Sequence, residues 1–400
     1  MFTILSGLWG SQVGSHNFAT IFVWIAWWSA LKLFFIPIGG RTWCSICPLP
    51  LLGEWLQNRG ILRSRDAQCL HGKSWPRAWR NAWIPVVSFL LVGWFGVIIL
   101  TSPRTTAFVL LGLFVLATLL GLIYERRAFC RYICPVGGFS GLYTRLAPPA
   151  IRVSNTTLCT IHIEKTCYNV CPWGQYPLAL KTSGNCGLCM ECLRACPYQN
   201  ISLSLRPWGI ELSSPPKMRV DEVFLALVML TTAGVDAAIF LGPWGALKSA
   251  TYTVGSPGWW IFATAFLLLV LGIVPAFYAL TTWIAQRIRK GGLSPKSSFT
   301  YYGPILLPLG LMAWIAFTLA FASTKLSYLL PVLSDPLGWG WNLLGLTNHI
   351  STGQTPLLSS ALQTLILAGG AMIATKTARE LSRSLYESIP CSYSLLHLPG

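Results

Sequence analysis

The chain of 400 residues is 54% hydrophobic and only 10% charged, and its mean hydropathy is +0.57. A soluble domain carries about 25% charged residues, so this composition excludes a protein that is water-soluble over its whole length. The formal net charge of +17 would suit a nucleic-acid-binding protein. The placement of the basic residues along the chain gives this charge a different explanation.

Seven apolar runs have the length of about 20 residues that a membrane-spanning helix needs. They are Phe18–Ile38, Ala82–Thr101, Thr105–Tyr124, Glu222–Leu241, Gly258–Ala285, Tyr301–Ala322 and Leu357–Thr375. Neither a basic segment nor a small-residue cleavage site precedes the first run, so we expect a retained helix and not a signal peptide. The predicted fold class is an α-helical integral membrane protein.

The basic residues alternate between the segments that join these runs. Segments 39–81, 125–221, 286–300 and 376–400 contain 25 of the 29 Lys and Arg residues, whereas the alternate segments contain three. Cytoplasmic loops carry the excess of Lys and Arg in membrane proteins. The pattern therefore predicts an outer N-terminus, a cytoplasmic C-terminus and no nucleic-acid partner.

All 13 cysteines lie in the segments that are predicted to face the cytoplasm. Disulfides rarely persist in that reducing compartment, so metal-binding thiolates are the better interpretation. The chain divides into three parts. Residues 1–149 hold three helices and two cysteine loops, 150–216 form a hydrophilic insert, and 217–400 hold four helices, an outer loop 323–356 and a cytoplasmic tail.

An internal repeat follows the first and the third predicted helix. Each copy reads Arg, two residues, Cys, a short gap and Cys-Pro, and the cysteines are Cys44 and Cys47 in one copy and Cys130 and Cys134 in the other. Matching positions suggest that the two loops meet. Their four thiols could bind a 4Fe–4S cluster of their own, form redox-active dithiols or be buried thiols with a structural role only. Cys69 and Cys391, by contrast, have no partner at ligand spacing.

The insert contains the strongest motif, C-x2-C-x2-C-x3-C-P, formed by Cys186, Cys189, Cys192, Cys196 and Pro197. This is the spacing of bacterial two-cluster ferredoxins, in which the fourth cysteine binds the other cluster. A zinc site needs no trailing Cys-Pro. The motif therefore predicts that residues 150–216 form a ferredoxin-like α+β insert with two 4Fe–4S clusters, to which a cluster of the repeat would add a third.

The remaining ligands are expected upstream. Cys171 would complete the first cluster with Cys186, Cys189 and Cys192, and the second would be held by Cys159, His162, Cys167 and Cys196. His162 stands where a second cysteine is usual. Imidazole is an accepted ligand of iron–sulfur clusters and raises their potential. The alternative is a cluster with three cysteines, or another ligand, beside an uninvolved His162.

The histidines and one acidic residue bear on further cofactors. All five histidines lie outside the predicted spans, which argues against a haem held between two helices; they are His16, His71, His162, His349 and His397. Asp236 is an acidic residue deep in a span, where ionisable groups are usually functional. It could transfer a proton or hydrogen-bond to a neighbouring helix.

These helices, Cys-Pro loops and ferredoxin motifs resemble the NapH/NosR/CcoG-type polyferredoxin membrane proteins over roughly residues 18–205. The resemblance implies a quinol dehydrogenase-like electron-transfer subunit in the bacterial cytoplasmic membrane. It would pass electrons between the quinone pool, cytoplasmic-side clusters and a cytochrome or iron–sulfur partner of a respiratory complex. Whether the chain is itself an enzyme stays open.

Two other function classes fit the same motifs. A metal-reducing assembly factor would use the clusters to mature another respiratory enzyme, for example by reducing copper. A redox sensor would instead couple the state of a cluster to the activity of a partner. Both alternatives keep the iron–sulfur clusters. They differ from the electron-transfer subunit in what the clusters act on: a metal in the first case and the activity of a partner in the second.

The charge asymmetry makes a prediction about topology. Reporter tags at the N-terminus and in loop 323–356 should be periplasmic, whereas tags near Cys69, near Lys181 and at the C-terminus should be cytoplasmic. Paired phosphatase and fluorescent-protein fusions measure this directly. A cytoplasmic N-terminus would contradict the layout, and with it the compartment assigned to the cysteines.

Overall fold

The computed structural model describes residues 1–59, 73–212, 218–288, 294–346 and 356–387, and the structural statements below concern these residues. The described chain is mostly helical, with a two-stranded sheet in the insert. Several residues discussed above lie outside the described ranges: His71, His349, His397, Cys69 and Cys391.

Within the described ranges, five helices are long and apolar enough to cross a membrane: Phe18–Gly39, Pro103–Ile123, Val220–Leu241, Pro257–Ile288 and Pro295–Ser334. They support a multi-pass helical membrane protein, and the count of seven spans stays a prediction. The predicted run 82–101 is divided at Phe95 into the helices Trp83–Trp94 and Gly96–Thr101. The last predicted run lies within the helix Pro356–Glu387.

Shorter helices complete the structure around these five. They are Phe2–Trp9, Thr42–Ile46, Leu51–Arg59, Ala128–Tyr132, Pro135–Tyr143, Thr156–Ile161, Thr166–Asn169, Glu191–Ala195 and Gly245–Tyr252. Most cysteines of the repeat and of the insert lie within such short helices or within two residues of one.

The centre of the bundle is formed by the helices Val220–Leu241 and Leu306–Lys325, whose facing side chains are buried. Tyr143, at the end of the helix Pro135–Tyr143, is fully buried between them. Its hydroxyl occupies the space that a side chain at Gly310 would need, because a β-carbon there would lie 2.3 Å from Tyr143 Oη. The helix Pro135–Tyr143 begins directly after Cys134. The contact between Tyr143 and Gly310 therefore fixes the second cysteine loop against the bundle.

The insert is a small α+β unit. Strand β1 (Pro149–Val153) pairs antiparallel with β2 (Ile201–Leu205), with Ile151 opposite Leu203. The sheet joins the beginning of the insert to its end, so that the two cysteine motifs lie between the strands in sequence and beside each other in space. Trp208 Nε1 donates to the carbonyl of Pro37 (3.2 Å) and ties the insert to the end of the first long helix.

Candidate metal centres

The two repeated loops have the same local structure. Arg41 and Arg127 each precede a five-residue helix, and the first cysteine is the third residue of that helix. The second cysteine has an extended backbone and is followed by proline, which cannot continue the helix. The extra residue of the second loop is Ile133, which lies between the end of the helix and Cys134.

The arginines of the repeat connect the loops reciprocally. Arg41 Nη2 donates to the carbonyl of Cys130 (3.0 Å), and Arg127 Nη1 donates to the carbonyl of Cys44 (2.5 Å). Arg127 also forms an ion pair with Glu54, in which Nη2 donates to Oε2 (3.0 Å). Each loop therefore holds the first cysteine of the other in place.

These contacts bring the four cysteines of the repeat together. Cys44, Cys130 and Cys134 share one buried apolar cluster. Burial, together with the neighbouring Cys44 and Cys47, raises the pKa of Cys134 to about 12. Burial, together with Cys44, likewise raises the pKa of Cys47 to about 11. Thiols with such a raised pKa are neutral unless a bound cation stabilises their thiolates.

The first group of the insert converges in the same way. Cys171, Cys186, Cys189 and Cys192 line one small pocket. Burial, together with the other three cysteines, raises the pKa of Cys192 to about 12. The structure therefore brings together the four residues that the ferredoxin spacing assigns to one cluster.

The second group contains three cysteines and His162. Burial raises the pKa of Cys167, and Cys196 and Cys159 raise it further, so the three thiols are neighbours. The ring centroid of His162 lies 5.0 Å from that of Tyr198, two residues after Cys196. The Nδ1 atom of His162 is buried without a hydrogen-bond partner, as expected of an atom that is available to bind iron.

Trp173 connects the repeat to the insert. It follows Cys171 by two residues, is almost fully buried, and packs with Cys44, Cys130 and Cys134. The guanidinium of Arg41 lies 4.3 Å from its ring centroid. A β-carbon at position 187 would lie 1.8 Å from Trp173 Nε1, so the glycine there makes room for the indole.

Cysteine dominates the donor set of the three groups. The described cysteines are all free of disulfides. In the described part of the chain, no group of three or more His, Cys, Asp or Glu side chains lies close enough to hold one metal ion. Cysteine thiolates are the usual ligands of 4Fe–4S clusters, and the three groups fit such clusters by the chemistry of their donors.

The sequence places Lys32 within the first apolar run but gives it no role. Lys32 is 1% exposed, and its Nζ lies 5.0, 4.8 and 5.4 Å from the ring centroids of Trp28, Trp314 and Phe317. Asp236 is also buried and interacts electrostatically with Lys32. Asp236 thus lies near a basic side chain, which neither predicted role included. The available signal was that Lys32 is a basic residue inside an apolar run.

Comparison with known proteins supports this chemistry. A family described as a 4Fe-4S binding domain matches residues 20–66 and 105–154. Each matched stretch contains one copy of the repeat with the helix before it, and neither contains the motif 186–197. The match therefore covers the four cysteines of the repeat, for which the sequence analysis left three interpretations open.

The chain is also similar to three proteins that are each called methylamine utilization ferredoxin-type protein MauN. The identities are 27% over 157 residues for Paracoccus denitrificans, 30% over 152 for Methylorubrum extorquens and 28% over 185 for Methylobacillus flagellatus. These alignments cover 36%, 35% and 42% of this chain and 52%, 50% and 52% of the relatives. The chain therefore spans about half the length of the relatives that it matches.

No solved structure matches the chain. The family match and the relatives support a ferredoxin-type iron–sulfur protein with an electron-transfer role. The narrower NapH/NosR/CcoG-type assignment stays a prediction.

The reciprocal contacts predict a strong coupling between Arg127 and Glu54. Arg127→Gln removes the ion pair and leaves a half-buried carboxylate without its partner, so the unfolding midpoint should fall. The double variant Arg127→Gln/Glu54→Gln should be less destabilised than the sum of the single variants, by about 1–3 kcal/mol. Chemical denaturation in detergent, followed by helical circular dichroism, measures this.

The matched control is the pair of Lys376 and Glu380 on one turn of a helix, whose charged atoms lie 3.9 Å apart and whose lysine is exposed. Its double-mutant cycle should give a coupling below about 0.5 kcal/mol, because solvent screens it. Equal couplings in the two cycles would contradict a structural role of Arg127 in joining the loops.

Proposed function

We propose that the chain is a membrane-bound electron-transfer protein in which three 4Fe–4S clusters form a relay from the insert to the membrane face. The first cluster would be held by Cys171, Cys186, Cys189 and Cys192. The second would be held by Cys159, His162, Cys167 and Cys196. The third would be held by Cys44, Cys47, Cys130 and Cys134.

The observation that carries this proposal is the contact between the three groups. Cys167 and Cys196 of the second group share a buried cluster with Cys192 of the first. Cys171 and Cys189 of the first group pack against the buried cluster that contains the third. The order along the relay is therefore second, first, third. Electron tunnelling falls steeply with distance, so groups in contact are suited to a relay.

The surroundings of each group would adjust its potential. Backbone N–H groups of Gln175 and Gly137 donate to the sulfurs of Cys171 and Cys134, both at 3.4 Å. Asn200 Nδ2 donates to Cys159 Sγ (3.2 Å). Hydrogen bonds to sulfur and nearby positive charge favour the more negative, reduced cluster. When bound, the clusters supply the one-electron chemistry, and these residues set how readily each accepts the electron.

The positions of the groups suggest the partners. The third group lies beside the ends of the helices Phe18–Gly39 and Pro103–Ile123, at the membrane edge. The insert carries the other two groups. We propose a quinone or a cytochrome or iron–sulfur subunit of a respiratory complex as the redox partner, in the bacterial cytoplasmic membrane with the insert in the cytoplasm. The uneven distribution of basic residues supports this orientation.

The names of the relatives attach those proteins to methylamine utilization. For this chain we propose only the ferredoxin-type part of that description, because the similarity covers about half of each relative. Reduction of a metal during enzyme assembly, or redox sensing, would use the same relay with another acceptor.

Iron content tests the relay. The purified protein should contain about 12 irons, and Cys44→Ser/Cys130→Ser should lower this to about 8 with loss of one component from the redox-titrated EPR spectrum. Cys69→Ser/Cys391→Ser is the matched control and should change neither value. Unchanged iron in the first variant would contradict the third cluster. Clusters that stay oxidised with quinols and with reduced partner proteins, at matched potentials, would contradict the proposed partners.

The role of His162 has its own test. His162→Cys should keep four irons in the second cluster and lower its potential, because a thiolate adds negative charge. His162→Ala should favour loss of one iron and give a three-iron EPR signal. Tyr198→Phe, which keeps the neighbouring ring, should preserve both iron content and potential. An alanine variant with an unchanged cluster at the same potential would show that His162 is not a ligand.

A further inference from the structure

A pocket of about 120 Å³ lies beside the cysteine loops, where the helices Trp83–Trp94 and Val220–Leu241 begin. Five arginines line it together with one carboxylate, Glu222; the arginines are Arg41, Arg80, Arg131, Arg145 and Arg219. These residues are far apart in sequence, and the fold brings them together. We refer to this site as the arginine pocket.

Two of the five positive charges are compensated by acidic side chains. Arg145 pairs with Glu222 (Nη2–Oε1 2.9 Å), and Arg219 pairs with Asp221 (Nη2–Oδ2 2.7 Å). These two carboxylates do not compensate the positive charges of the other three arginines.

The remaining arginines donate to neutral carbonyl groups. Arg80 Nε donates to the carbonyl of Trp75 (3.0 Å), and Arg131 Nη1 donates to that of Trp173 (3.1 Å). Arg41 donates to the carbonyls of Gly184 (2.7 Å) and Cys130 (3.0 Å) and lies over the ring of Trp173. None of the three forms an ion pair with a described acidic residue. The pocket therefore carries an excess of positive charge.

Two guanidinium nitrogens in the lining have no acceptor. The Nε atoms of Arg41 and Arg145 are buried without a hydrogen-bond partner, and Arg41 as a whole is 2% exposed. Leaving a buried charged donor unpaired costs more than leaving a neutral one unpaired. An anion in the pocket would relieve this penalty.

The lining favours one class of anion. The planar guanidinium fork matches the oxygens of phosphate and carboxylate groups, and several arginines around one small space suit a compact oxyanion. The arginine pocket lies at the ends of membrane helices, where phospholipid phosphates are found. Basic pockets between membrane helices bind lipid headgroups.

We propose that the arginine pocket binds a phosphate group, from an anionic phospholipid or from free phosphate. This inference does not depend on the iron–sulfur relay, because it uses the arginines alone. The bound oxygens would accept hydrogen bonds from guanidinium N–H groups that have no other acceptor, and the positive charge of the lining would balance the phosphate.

The experiment uses the full-length protein and the variant Arg80→Gln/Arg131→Gln. The matched control, Arg287→Gln/Arg383→Gln, removes the same charge outside the pocket. One arm measures binding of phosphatidylglycerol, against phosphatidylcholine, in nanodiscs and by native mass spectrometry. The other measures the melting midpoint of delipidated protein in detergent with inorganic phosphate, against chloride at equal ionic strength.

Binding of phosphatidylglycerol that weakens tenfold or more in the pocket variant, and not in the control, would identify a lipid source. A rise of the midpoint with phosphate that is lost in the same variant alone would identify the free ion. Equal losses in both variants, or binding in neither arm, would overturn the proposal. If the double variant does not fold, Arg80→Gln alone repeats both arms, since Arg80 is exposed and donates to a single carbonyl.

Discussion

The structure depends on the reciprocal contact between two arginines and two cysteine carbonyls. Arg41 and Arg127 occupy the same position in the two copies of the repeat, and each donates across to the first cysteine of the other copy. A charged donor to a carbonyl is a strong hydrogen bond when it is buried. Because the two contacts are related by the repeat, they fix the loops as a pair, and the four thiols converge as a consequence.

Trp173 extends this arrangement from the repeat to the insert. Its ring lies against the guanidinium of Arg41, so the same charge that joins the loops also holds the indole. The indole fits only because position 187, inside the strongest cysteine motif, is a glycine. The packing of the first cysteine group and that of the third are therefore coupled. A substitution that alters the packing of one group would also affect the other, because both contact Trp173.

Local spacing predicted much of this site, and the reason is physical. The ferredoxin motif places its ligands within a few residues, so their grouping is set by the backbone and is readable from the sequence. The repeat predicted that two distant loops would meet, because matching positions imply matching geometry. Five of the predicted spans coincide with helices that are long and apolar enough to cross a membrane, because length and hydropathy are readable from the sequence. The break at Phe95 was not predicted, since no proline marks it. Lys32, Trp173 and the arginine pocket were missed because their partners come from distant segments without a recurring pattern.

Arg41 belongs to three features at once: the contact between the loops, the seat of Trp173 and the lining of the arginine pocket. Its charge favours electrons on the cluster that the neighbouring cysteines would hold. A phosphate group in the pocket would offset part of that charge and lower the potential of this cluster relative to the others. Phosphate binding in the pocket would then change the driving force for electron transfer between the first and the third cluster. This effect would act through the guanidinium of Arg41, without any change in the fold.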